Sequence, residues 1–288
     1  MALCLVLGLV LAGLASGQDS QFAGWSQTDL DAYCIRLTEV DLIRNQLETT
    51  MAELTTYRNK YQKAAAIVRQ RSSYRFPRPQ STSGRLLFRA KHDTPLTSLT
   101  ACAWMKTDFK CAPNCHLLTV FSYAHKANFN GFIFAFDGSS FQMHVESQVT
   151  VFGRGKVSGF LDNQWHHHCF SWSNAAGSWR YVRDGALVAN GTDPRTKGRI
   201  ISAGGIWSVG QEQDSVGGGF ETTQAFVGDI TQVHVWDTDK VQPAEVAKCG
   251  SDLKGNIISW GQDPLEENNL ASYPNIDPSC AKASCKDN

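Results

Sequence analysis

Trp165-His-His-His-Cys-Phe-Ser-Trp172 and, after a short polar break, Ser178-Trp-Arg-Tyr-Val182 set the reading of the fold. Large side chains recur at every second position in both stretches, the spacing of one face of a pleated strand. Three consecutive histidines suggest a metal, but along a strand they alternate faces, so at most His166 and His168 point the same way. Nothing nearby completes a zinc set, and the three are read as packed or exposed strand histidines.

The same texture extends both ways. Leu99–Met105, Leu117–Tyr123, Phe132–Phe136 and Phe141–Val145 precede it, and Gln232–Trp236 follows. Gly, Asn, Asp and Pro separate these runs, with Asp184-Gly185 and Asn190-Gly191 read as tight turns. More than ten short strands without a helical pattern between them predict an all-β, two-sheet sandwich. Pro243–Lys248 is read as one short helix.

Upstream the period changes. Over residues 28–70, Leu30, Leu37, Arg44, Met51, Arg58 and Ala65 recur every seventh residue. Tyr33, Val40, Leu47, Leu54, Tyr61 and Val68 form the companion series, with no Pro or Gly between. Such a seam predicts a coiled coil, and the two arginines in it favour a modest oligomer over a rigid rod. Ser26 or Thr28 caps the helix, and Asp29 and Asp31 complement its positive end. Cys34 falls beside the seam, where an interchain disulfide is expected.

Residues 1–17 read as a signal peptide: an uncharged apolar run, Ala2–Leu14, then Ala15-Ser16-Gly17. The run is shorter than the roughly 20 residues a membrane span needs, and no later segment approaches that length. A secreted, extracellular chain is therefore expected. Its 27 basic and 27 acidic residues balance without a basic cluster, which argues against nucleic acid as a partner. Beyond the leader lie Cys34, Cys102, Cys111, Cys115, Cys169, Cys249, Cys280 and Cys285, an even number that reads as disulfides. Cys111-Ala-Pro-Asn-Cys115 reads as a small disulfide loop, and one of Cys280 and Cys285 is expected to pair with Cys249. Asn190-Gly191-Thr192 is a glycosylation acceptor for Asn190.

The chemistry concentrates in Gly210-Gln-Glu-Gln-Asp-Ser-Val-Gly-Gly-Gly-Phe-Glu-Thr-Thr-Gln-Ala-Phe-Val-Gly-Asp229. Glu212, Asp214 and Glu221 supply three carboxylates, and Gln213 and Gln224 two amides. Gly217, Gly218 and Gly219 let the chain fold back, bringing the later donors towards the earlier ones. All are hard oxygen donors, and Ca2+ takes roughly six to eight of these in a flexible cage. Carboxylates this crowded repel one another unless a cation joins them. An ordinary polar surface loop is the competing reading.

This stretch resembles the calcium loop of the pentraxin family nearly residue for residue. His167-His168-Cys169-Phe170-Ser171-Trp172 is similar to the family signature: His, any residue, Cys, any residue, Ser or Thr, Trp. Tyr74-Arg-Phe-Pro77, Phe121-Ser-Tyr-Ala124 and the Trp179, Tyr181, Asp184-Gly185 segment also fit, so the resemblance covers residues 72–288. It implies a jelly roll of the legume-lectin type, calcium on one face, ligands bridging to the metal, and cyclic homo-oligomers, often pentamers. Carried over by position, Glu212, Asp214, Glu221 and Gln224 contribute side-chain oxygens, Gln213 its main-chain carbonyl, and Cys102–Cys169 forms the intrachain bridge. From the loop after Ala124 the family takes an Asp-Asn pair. Here Asn130 matches, Phe129 departs, and Asn128 is a possible substitute.

The resemblance further implies a multivalent, disulfide-linked, non-catalytic recognition protein of innate-immune type, with phosphocholine, phosphoethanolamine-like or carbohydrate ligands. The coil, Ala225–Gly228 and Gly255–Trp260 look closest to neuronal-type long forms, which makes an organiser of extracellular proteins at synapse or matrix the alternative. A glycoside hydrolase on the same sandwich is a third reading. It would need two free carboxylates, and calcium would consume them.

Overall fold

A computed structural model describes residues 26–89, 92–111, 116–154, 157–248, 251–262, 264, 266–274, 278 and 280. The expected leader, Cys115, Cys249 and Cys285 lie outside the described residues. The chain divides into two units, residues 1–63 and 64–288.

Helix α1 spans Gln27–Gln70. Ser26 starts it with a reciprocal cap: its Oγ accepts from the Asp29 amide at 3.2 Å, and its own amide donates to Asp29 Oδ2 at 2.9 Å. The seam residues Leu47, Met51, Leu54 and Tyr61 are 59–76% exposed. Ile35, Leu42, Ile43 and Tyr57 are exposed too and lie off the seam, so the apolar surface is wider than two positions per heptad. Cys34 is partly exposed. No helix among the described residues is long and apolar enough to cross a membrane.

After α1 the chain forms two antiparallel sheets packed as a jelly-roll-like sandwich. One contains β1 (Ser72–Phe76), β3 (Ser98–Lys106), β8 (His166–Ser173), β9 (Ser178–Arg183), β10 (Ala186–Thr192), β12 (Gly228–Trp236), β13 (Ile258–Ser259) and β15 (Ala271–Pro274). Its order is β10-β9-β8-β3-β12-β1-β15, with β13 also pairing β12. The other contains β2 (Arg85–Arg89), β4 (Leu118–His125), β5 (Asn128–Phe136), β6 (Phe141–Val145), β7 (Gln148–Phe152), β11 (Ile206–Val209) and β14 (Glu266–Asn268), in the order β14-β2-β11-β4-β5-β6-β7.

Alternation buries one face of each sheet against the other. Phe134 of β5 packs on Phe170 of β8 and Tyr181 of β9 at 6.0 and 5.9 Å between ring centres, and Phe141 of β6 meets Tyr181 at 4.5 Å. Each such ring contributes about 1.5–3 kcal/mol by leaving water. On the outer face of the larger sheet, Cys102 and Cys169 sit directly opposite in the β3–β8 register and are disulfide-bonded, with Cα atoms 4.1 Å apart. Helix α2 (Pro243–Val246) covers them through Val246, beside Val182 and Trp236. Cys111 and Cys280 are each disulfide-bonded as well.

The histidine run behaves as strand geometry requires. His166 and His168 share a face, with ring centres 6.4 Å apart. His166 lies between Asp184 and Asp162, and buried His168 pairs through Nδ1 with the Tyr181 hydroxyl at 2.7 Å. His167 points the other way, and its Nε2 lies 4.0 Å from Cys169 Sγ. Those sulfurs are tied to each other, so they offer no thiolate to a metal.

One expected turn is not a turn. Asp184 and Gly185 do reverse the chain, at φ 50° and 79°. Asn190-Gly191-Thr192, however, runs inside β10, paired with Arg180, Trp179 and Ser178. Gly191 is there for space: a Cβ would lie 2.9 Å from the Trp179 ring. The predicted short helix likewise stops at Val246.

Candidate functional site

β11 runs straight into the acidic loop, and two residues pin the loop at its base. Gly210 donates to the Val120 carbonyl at 3.1 Å and accepts from the Phe226 amide at 2.9 Å. Its φ of 85° suits glycine, and a Cβ would collide with the Phe76 ring at 1.9 Å. Phe76 in turn meets Phe226 edge-on at 5.6 Å. Thr223 ties the far limb down by accepting from the amides of His116 and Leu117 at 2.8 and 3.1 Å.

Between these anchors the glycines fold the loop back as expected. Ser215 and Gly218 exchange backbone bonds of 3.1 and 3.0 Å around Gly217, at φ 75°. Gly219 passes so close to Asp214 that a Cβ would lie 2.9 Å from its carbonyl carbon. A single helical turn, Thr222–Gln224, follows, with Gln224 donating to the Glu221 carbonyl at 3.1 Å.

Glu212 is only 4% exposed, although it carries a carboxylate. Burial, then the charge of Asp214, then that of Glu221, push its carboxyl up to about 7. Its Oε2 is buried with no hydrogen-bond partner, and so is Oε1 of Gln224. Leaving such groups unpaired is costly, and a buried carboxylate flanked by two more is the costliest kind. A hard cation shared by these oxygens would relieve both the repulsion and the missing bonds, so the residues fit Ca2+.

The Gln213 side chain is not available for that role. Its Nε2 donates to the Ser122 carbonyl and the Ile206 carbonyl, both at 3.1 Å, and its Oε1 accepts from the Gly217 amide at 2.8 Å. The amide acts as an internal brace, and only the main-chain carbonyl of Gln213 is left to face a metal.

The neighbouring β4–β5 hairpin is built differently. Asn128 Oδ1 accepts from the Asn130 amide at 2.9 Å and from Ser147 Oγ at 3.0 Å, and its Nδ2 donates to Glu146 at 3.1 Å. Glu146 also pairs with buried His125 at 2.8 Å. Asn128 is thus committed to Asn130 of its own hairpin and to the adjacent β6–β7 turn rather than standing in for the missing carboxylate. Phe129 is 43% exposed and offers no oxygen. Asn130 is half-buried beside it, at the end of the hairpin nearest Ala124, which is the β11 Ile206 partner.

Sequence reasoning did not find the braces beneath the loop. Gln211 donates to the carbonyls of Ser81 and Gly84 at 2.8 and 2.7 Å. Arg85 stacks over the Phe220 ring at 4.9 Å and pairs with Glu266 of β14. These partners are far apart in the chain, and no local pattern announces them.

The sequence model of the Pentaxin family matches residues 72–271. Neuronal pentraxin-1 of Rattus norvegicus is 34% identical over 175 residues, 59% of this chain and 38% of the relative. Neuronal pentraxin-2 of Cavia porcellus is 33% identical over 170 residues, 57% of this chain and 37% of the relative. The chain therefore spans well under half the length of these relatives. Among solved structures, the native heptameric SAP-like pentraxin of Limulus polyphemus aligns with a TM-score of 0.60 at 26% identity, over 73% of this chain and 98% of its own. The extracellular region of zebrafish Gpr126/Adgrg6 shares the fold alone, at 15% identity and a TM-score of 0.54, over 72% of this chain and 26% of that one.

Proposed function

The chain belongs to the pentaxin family, and from that premise we propose that it is a secreted, oligomeric recognition protein whose loop-held calcium captures phosphorylated or carbohydrate ligands. The observation that carries this reading is the buried, unpartnered Glu212 Oε2 beside Asp214 and Glu221. Glu212, Asp214, Glu221 and Gln224 would hold the ion through side chains, Gln213 through its carbonyl, and Asn130 from the neighbouring hairpin. Bound there, calcium would supply open positions for anionic or hydroxyl oxygens of a ligand. The protein residues would orient the ion, and calcium would consume the carboxylates a hydrolase needs free, so the proposed activity is binding rather than catalysis. The exposed seam of α1 and ring formation by the sandwich would multiply weak contacts into avidity. In the same reading Asn190 carries a glycan.

A second reading keeps the site and changes the ligand. The neuronal pentraxins among the relatives favour an organiser that binds extracellular proteins. One experiment separates the two: passing the oligomer over phosphocholine, phosphoethanolamine and galactose matrices in calcium, then eluting with chelator. Chelator-released binding to any of them supports the first reading. Passage through all three, with calcium still bound, overturns it in favour of a protein ligand.

A further inference from the structure

On the outer face of the larger sheet, away from the acidic loop, lies a cavity of about 500 Å³. Ser171, Ser178 and Arg180 line its strands, Asp239 and Gln242 its loop side, and Leu187 its edge-strand side. The loop is held by Arg180, which donates to the carbonyls of Asp239 and Val241 at 2.8 and 2.7 Å. Asn190 lines the same cavity, and its residue is exposed. Being paired with Arg180, Asn190 shares the outward face with it.

The acceptor Asn190-Gly191-Thr192 thus opens onto a trough rather than bulk solvent. The trough combines hydroxyls, a guanidinium, the paired charges of Asp239 and Lys240, and the apolar Leu187, which is 60% exposed. A hexosamine ring presents the complementary set: hydroxyls and an acetamide at its rim and an apolar C–H face. β10 is also the edge of its sheet, and its pairing with β9 slips between Leu187 and Ala189. An uncovered, irregular edge invites pairing with other chains, and a sugar seated over it would block that.

We infer that the trough is the seat of the protein's own N-glycan: the hexosamine core attached to Asn190 folds back over Leu187 and onto the 238–242 loop. The inference rests on the secretory reading and is independent of calcium. Its test is hydrogen exchange on the full chain secreted from animal cells, comparing wild type with Asn190→Gln. The glycosylated protein should show amides of 238–242 and of β10 exchanging roughly tenfold more slowly, because local opening must now displace the sugar. Leu187→Glu keeps the acceptor and should keep the glycan while losing that slowing. If Asn190→Gln is not secreted, wild type stripped of its whole N-glycan by an amidase, which leaves a carboxylate at position 190, serves as the comparison. Absence of a glycan on Asn190, or exchange at 238–242 that is equal with and without it, overturns the proposal. The calcium response is expected to be the same in every variant, so failure here leaves the calcium reading standing.

Discussion

Glu212 is a single side chain whose position is unfavourable unless something shares its charge. Its carboxylate is buried, flanked by like charges and short of a partner, so without metal it destabilises the loop it belongs to. Calcium should therefore raise the melting temperature of the wild type, since a ligand that binds only the folded state stabilises it by mass action. Glu212→Gln should melt higher than wild type in chelator and gain nothing from calcium. Differential scanning calorimetry with and without chelator checks both halves, and a wild type indifferent to calcium would remove the basis of the site. The carboxylates were legible in the order of residues alone. That Gln213 spends its side chain on Ser122, Ile206 and Gly217 was not, because those partners reach it only through the sheet.

Among elements, α1 and the β3–β8 pair lead to separate expectations. Leu47 and Leu54 occupy the expected seam and stand in water within their own chain. Replacing both with Ser should reduce the mass of the assembly by light scattering and leave the calcium-induced shift in melting intact. An unchanged mass would show that the oligomer does not use the helix. The Cys102–Cys169 bridge joins two central strands across 67 residues of chain. Changing both to Ala should cost about 2–4 kcal/mol in denaturant unfolding, most of it through a less constrained unfolded state. Strand boundaries were partly hidden where pairing is irregular. β12 was expected from Gln232 and begins at Gly228, because a register shift after Thr231, with Gln232 at φ 50°, breaks the alternation that marks a strand.

For the molecule as a whole, acid is the expected weakness. Burial lowers His144 to about 4 and His234 to about 3, and holds His168 well below the usual histidine range. All three are neutral in the fold, while the unfolded chain takes up their protons below about pH 6.5. Stability from these groups is complete above that pH and falls as pH drops towards the folded values, by up to about 1.4 kcal/mol per pH unit for each. Glu212 has the opposite sign: its raised carboxyl favours the calcium-free fold at low pH and penalises it as pH rises through about 7. The histidine contribution is isolated in Glu212→Gln, whose melting temperature should drop steadily from pH 7 to pH 5. A flat profile over that interval would mean that these imidazoles are protonated at little cost in the fold.

Local order alone determined the all-β class, the helical segment ahead of it, the acidic loop and its glycines, and the alternation of the three histidines. Each depends on spacing within a few residues, which the backbone converts directly into faces and turns. Tertiary structure decided what spacing cannot express. It placed Asn190 in an edge strand over a trough, because Trp179 fills the space a side chain at Gly191 would take. It tied Asn128 to the neighbouring β6–β7 turn through Ser147 and Glu146. It left Glu212 buried with its Oε2 unpartnered, because the loop that carries it is seated on the smaller sheet by the Gln213 bonds to Ser122 and Ile206.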